Sequence, residues 1–146
     1  GTCPDPVAGI AVLRLPIPDG GTADPGAARQ VIQAAASLAM SGRHVYSFDK
    51  VFSRQVEAKG KKGDVLLAIS TSGNSKNVVE AIKAAKNIGV KTIGFAGNNR
   101  DSLICRMSDY FVSIPSNSTP RIQEAHILIG HIICEIVERN LFEKKD

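Results

Sequence analysis

Apolar positions follow two alternating rhythms along the second two-thirds of this chain. Residues 64–70 open on Asp64 and then run through Val65, Leu66, Leu67, Ala68 and Ile69 without a polar break. A short continuous run of this kind predicts a strand buried on both faces, as in a parallel sheet. Residues 76–88 change to helical spacing, with Val78, Val79, Ile82 and Ala85 on one face and Gly89 as the stop. Beyond it the pattern predicts a strand at 91–96, a short helix at 101–107, a strand at 110–114 and a loop at 115–119. Pro120, a residue favoured in the first helical position, opens a long helix reaching to about residue 142. Strand and helix alternating at this spacing predict an α/β protein with a doubly wound parallel sheet between helical layers.

The first third is less regular. A strand is expected at 10–15, a turn at Asp19-Gly20-Gly21-Thr22-Ala23-Asp24 and an Ala-rich helix at 27–40. Residues 1–43 hold five of the seven prolines, no His and no Glu, and three Arg balance three Asp. The composition therefore changes near residue 44, although 146 residues suit a single domain.

Where the 64–70 strand hands over to the 76–88 helix stands Ser70-Thr71-Ser72-Gly73-Asn74-Ser75. Unpaired amides and the positive end of a helix dipole favour an anion at such a junction. Ser70, Thr71, Ser72 and Ser75 add hydroxyls that can donate to phosphate oxygens, and the loop carries no Lys of the kind a P-loop uses. This chemistry suits a phosphate that is held, not one that is transferred. A plain helix cap would need only Asn74 or Ser75.

The helix from Pro120 is apolar on almost every side, from Ile122 through Ile127, Leu128, Ile129, Ile132 and Ile133 to Leu141. A helix of this kind belongs in a core or against another subunit, with Ile127, Ile129 and Ile133 as the expected seam. Gln123, Glu124, His126 and His131 interrupt it and need partners if buried. The net charge of +4 is modest, and Lys59, Lys61 and Lys62 form a solvated turn without interleaved aromatics, so nucleic acid is not an expected partner. Cys3, Cys105 and Cys134 are odd in number and widely spaced, which reads as reduced thiols of a cytoplasmic protein. Neither a signal peptide nor an apolar run of membrane-spanning length is legible, so no membrane association is expected.

Taken together, several motifs resemble the sugar-isomerase (SIS) family, and closely its phosphoheptose isomerase branch. They are Val51-Phe52-Ser53-Arg54-Gln55-Val56-Glu57-Ala58, Gly63-Asp64-Val65-Leu66, the loop from Ile69 to Ser75, and Arg121-Ile122-Gln123-Glu124-Ala125-His126 with Ile127-Leu128-Ile129-Gly130-His131. The resemblance covers residues 46–142. It implies a Rossmann-like three-layer sandwich that converts sedoheptulose 7-phosphate to D-glycero-D-manno-heptose 7-phosphate for cell-surface polysaccharide. It further implies a cytoplasmic homotetramer with zinc in active sites between subunits. Ser70, Thr71, Ser72 and Ser75 match the substrate phosphate positions, Gln123 a position shared by substrate and metal, and His131 the catalytic acid–base and metal-binding histidine.

Residues 1–43 do not match. In the family this half carries an Asn-Gly-Gly-Ser type loop and a helix with a His and a Glu four residues apart, which supply two metal ligands and the proton-shuttling base. With no His or Glu before His44, the resemblance implies a chain with an intact phosphate loop but impaired turnover. A shifted reading frame, a fused foreign segment or a divergent half-domain would each account for the break. The functional alternative is a non-catalytic SIS-fold scaffold that binds a sugar phosphate or a protein.

Overall fold

In this computed structural model the chain is described at residues 9–13, as backbone, and at residues 48–142. The expected 27–40 helix and the Gly20-Gly21 turn lie outside the described residues. Among those described, four strands form one sheet in the order β1-β2-β3-β4: β1 (Gly9–Leu13), β2 (Val65–Ile69), β3 (Lys91–Ala96) and β4 (Tyr110–Ser113). The three later strands are parallel, with Val65 opposite Lys91 and Ile93 opposite Tyr110. β1 lies antiparallel on β2, from Gly9 against Ile69 to Leu13 against Val65. An antiparallel edge on a parallel sheet is common in α/β folds, and the apolar pattern of residues 10–15 carried no sign of its direction.

Among the described residues four α-helices accompany the sheet: α1 (Val51–Lys59), α2 (Lys76–Asn87), α3 (Leu103–Met107) and α4 (Thr119–Phe142). A single turn of 3-10 helix, Phe48–Lys50, leads into α1. Strand alternation assigns the two faces. Leu66 and Ala68 join Val56 of α1, Val78 and Ile82 of α2 and Ile104 of α3 in one buried cluster. Phe95 points the other way and meets the His126 ring of α4, with centroids 5.5 Å apart. The helical layers expected of a doubly wound sheet are thus present on both faces.

Local chemistry explains where the elements stop. After α2 the amide of Val90 donates to the carbonyl of Ala85 (2.9 Å) and that of Gly89 to Lys86 (3.2 Å). This is a Schellman ending, and it needs the left-handed Gly89 at φ 77°. At the start of α3, Ser102 accepts the amide of Cys105 on its side chain. Gly94 lets α3 approach the sheet, because a Cβ there would lie 2.5 Å from Ile104 and from Ser108.

Glu80 of α2 is gripped by Lys50 from the turn before α1 and by Lys83 at 2.7 Å. These bonds hold its carboxyl down from an ordinary 4.5 to about 2. A depressed carboxyl pKa contributes stability above the unfolded value that is lost as pH falls through the folded one. We expect unfolding experiments to show this contribution disappearing between pH 4.5 and about 2, and Glu80→Gln to flatten the curve in that window. An unchanged acid limb in the variant would remove the ion pair from the stability of the α1–α2 junction.

Candidate functional site

β2 ends at Ile69, and the next six residues form the loop that leads into α2. Ser70 is fully buried at its base, and its amide donates to the carbonyl of Phe95 at 3.0 Å. The Ser70 hydroxyl lies 2.8 Å from that of Ser75 and 3.2 Å from that of Ser72. It also accepts the amide of Gly73 at 3.2 Å, while the Ser72 hydroxyl accepts that of Asn74 at 3.2 Å. Ser72 is exposed, whereas Thr71 and Ser75 are half-buried. Three of the four expected phosphate-binding hydroxyls are therefore in mutual contact, with Ser70 below as the hub that orders the other two. Thr71 joins through its backbone, its carbonyl accepting the amide of Gly97 at 3.0 Å.

Ser75 occupies the N-cap position of α2 but makes no capping bond with its side chain, which turns to Ser70 instead. Its carbonyl accepts the amides of Val78 (3.1 Å) and Val79 (3.0 Å). Among the described residues no hydrogen bond engages the first-turn amides of Lys76 and Asn77, which have no partner within the helix. A negatively charged group at that end would meet open donors and the positive pole of a twelve-residue helix. The simple-cap reading of the loop thus fails on geometry, because neither Asn74 nor Ser75 caps α2 with its side chain.

α4 meets this region through its first two turns. Gly97 makes the approach possible, since a Cβ there would lie 2.6 Å from Ile122 and 2.8 Å from the Thr71 carbonyl. Gln123, half-buried, follows Ile122 directly. Of the two α4 histidines, His126 is the buried one. Its Nε2 donates to the Ala96 carbonyl at 3.3 Å, so it serves the packing of α4 on β3. His131 is exposed. Eight residues separate Gln123 from His131, a rise of about 12 Å along the helix axis. Among the described residues no three His, Cys, Asp or Glu side chains gather to hold a metal ion. A zinc ion at Gln123 and His131 would require further ligands from outside the described residues.

A shallow groove of about 380 Å³ flanks the outer side of the loop, lined by Lys50, Lys76, Glu80, Lys83 and Leu103 among others. Lys50 and Lys83 are already paired with Glu80 there, so the groove reads as a solvated face. Two further residues shape the loop through contacts with α3 that the sequence did not announce. Gly73 adopts φ 68°, and a Cβ on it would come within 2.5 Å of Ser102. Asn74 bonds across to α3, its Oδ1 accepting the amide of Leu103 at 2.9 Å. A Gly between hydroxyl residues hints at a special backbone angle, but nothing local in the sequence announces a partner 29 residues away.

A hydroxyl-lined loop at the carboxyl end of β2 stands where open α/β sheets bind their ligands. Residues 24–97, just over half of the chain, match the family model described as the SIS domain, and the chain belongs to that family. The match begins more than twenty residues before the motif-rich part that starts near Tyr46. Among its relatives is a phosphoheptose isomerase of Clostridium acetobutylicum, 55% identical over 102 residues, which are 68% of this chain and 50% of that protein. Phosphoheptose isomerase 2 of Campylobacter jejuni is 46% identical over 120 residues, 82% of this chain and 59% of that protein. A solved phosphoheptose isomerase from Neisseria gonorrhoeae superposes with a TM-score of 0.61 at 40% identity, covering 72% of this chain and 57% of that one. One from Francisella tularensis gives 0.64 at 31% identity, over 77% and 58%. The chain thus spans about half the length of the relatives it matches.

The crowded position of Gly73 yields a direct test. Gly73→Ala combines a left-handed φ with a Cβ pressed against Ser102. It should cost about 1–3 kcal/mol in urea denaturation. An unchanged midpoint would mean that the loop backbone relaxes away from Ser102 without penalty.

Proposed function

We propose that this chain carries the substrate-binding part of an aldose–ketose isomerase acting on a sugar phosphate, and that the substrate is sedoheptulose 7-phosphate. The observation that carries the reading is the cluster of Ser70, Ser72 and Ser75 hydroxyls beside the uncapped end of α2. The phosphoheptose isomerase relatives favour an isomerase over a non-catalytic scaffold.

The division of labour follows from the chemistry. The loop fixes the phosphate end through hydroxyl and amide donors, so the reactive end is presented at a constant distance from it. Conversion of the ketose to the aldose removes a proton from C1, passes through an enediol and returns a proton to C2. The oxygens at C1 and C2 exchange protons in the same steps. Gln123, which follows Ile122 of the Gly97 contact, is the proposed partner of a sugar hydroxyl near the loop. His131 is the proposed acid–base group for the oxygen-bound protons, since an imidazole can gain or lose a proton near neutral pH. Its exposure on a single chain suits a site that a neighbouring subunit completes. Zinc at Gln123 and His131 belongs to the same proposal, as do a homotetramer, a cytoplasmic location and a role in supplying heptose to surface polysaccharide.

The carbon-bound proton needs a base, and residues 1–43 contain neither Glu nor His. Loss of a general base commonly costs 10²–10⁴-fold in rate, about that much being expected here relative to full-length relatives. Calorimetric titration with sedoheptulose 7-phosphate should show binding, weakened by Ser72→Ala or Ser75→Ala, while aldose formation stays slow. Absence of any binding would sink the reading. A full rate would show that another group replaces the base.

α4 supplies the second test. Ile127, Leu128, Ile132 and Ile136 are exposed along it, with Ile127 and Leu128 each at 62%. Ile129 and Ile133 are half-buried, so the outward stripe is broader than the seam expected from sequence and shifted around the helix. Ile132→Glu should lower the oligomeric state seen by light scattering, because a carboxylate in an apolar contact is strongly unfavourable. A monomer for the unmodified chain would end the subunit-interface proposal.

A further inference from the structure

We infer that Asn74 is a positioning residue, which sets the anion loop by locking it into the start of α3. The inference rests on the sugar-phosphate reading of that loop and assigns one residue a task within it. Two helices begin beside the loop, and their first turns are treated in opposite ways. At α2 the N-cap serine withholds its side chain, so Lys76 and Asn77 keep their amides for a ligand. At α3 every early amide is taken. Leu103 donates to Asn74 Oδ1 at 2.9 Å, Ile104 to the Gly73 carbonyl at 3.0 Å and Cys105 to the Ser102 hydroxyl at 3.4 Å. Two of these three acceptors come from the loop. α3 is therefore capped by the loop and, in return, holds the loop down.

Asn74 suits this task because its amide has two different ends. The Leu103 amide is a donor and must face Oδ1. The Ser72 carbonyl is an acceptor and faces Nδ2 at 3.3 Å. The Asn74 backbone amide completes the set, donating to the Ser72 hydroxyl at 3.2 Å. One residue thus fixes the carbonyl and hydroxyl of Ser72 relative to α3, although its own side chain is largely exposed. The exposure argues against a packing role. Asp and Ser would each supply only part of this pattern, Asp lacking the donor and Ser the reach.

The test uses the isotopically labelled full chain and inorganic phosphate as probe, with amide resonances followed during titration. Phosphate should shift the amides of residues 70–77 and, with the same dissociation constant, that of Leu103. Asn74→Ala should weaken phosphate about 3–10-fold, as expected for one lost neutral hydrogen bond. It should also abolish the response at Leu103 and leave the unfolding midpoint nearly unchanged. Asn74→Asp retains the acceptor and should keep the Leu103 amide at its parent position in the phosphate-free protein. If the parent shows loop shifts but a silent Leu103, or if Asn74→Ala binds phosphate like the parent, the positioning role is overturned and the anion loop stands. If no amide in 70–77 responds, the anion loop and the positioning role fall together.

Discussion

Phe95, Ala96 and Gly97 carry, on three successive peptide units, the bonds that assemble the region around the loop. The Phe95 carbonyl takes the amide of Ser70, and the Ala96 carbonyl takes both the amide of Ile114 and Nε2 of His126. Gly97 donates to Thr71 and accepts the Ser113 hydroxyl at 3.0 Å. The hydroxyl loop, the end of β4 and the first turns of α4 are therefore referenced to one stretch of backbone. Backbone groups buried at a strand end must be paired, so the three attachments are as much a requirement as a convenience. Gly97 is a close-packed point, because Thr71 and Ile122 close over it from two sides.

Much of this arrangement was legible in the sequence, for identifiable reasons. The β2 run from Val65 to Ile69 could be read because a strand covered on both faces has no polar interruptions. α2 could be read because Val78, Val79, Ile82 and Ala85 keep helical spacing up to Gly89. The hydroxyl loop could be read because it falls between the two. What escaped was non-local. The antiparallel direction of β1 depends on its connection to β2, not on its own residues. The Asn74–Leu103 bond joins segments that the sequence places far apart. The burial of Ser70 below Ser72 and Ser75 follows from the turn at Gly73, so residues matched as four equal phosphate contacts divide into a hub and outer donors. On α4 the periodicity announced burial all round, but only Ile122 and His126 are buried in the single chain.

The family match adds a constraint on the first third. It runs from residue 24, inside the segment that carries none of the family's recognisable motifs. Similarity there survives without the Glu and His that the isomerase chemistry would use. On the proposed reading, the hydroxyls that would hold a phosphate lie in the middle third, while the first third offers no Glu or His to move a carbon-bound proton.

The serine cluster also has a consequence for charge state. Gly73 and Asn74 donate their amides to the oxygens of Ser70 and Ser72, filling acceptor capacity from behind. Ser70 spends its one proton inside the cluster, so what the cluster can offer outward is a proton of Ser72 or Ser75, and the α2 amides likewise only donate. A site made almost wholly of donors has little to offer the P–OH of a phosphate monoanion, which must itself donate. A phosphate ester bound there would be matched as its dianion, whose second ionisation lies at about pH 6. The loop would therefore discriminate between two protonation states of one ligand, its grip loosening as the medium falls below that pH, with no titrating side chain among the four hydroxyl residues that define it.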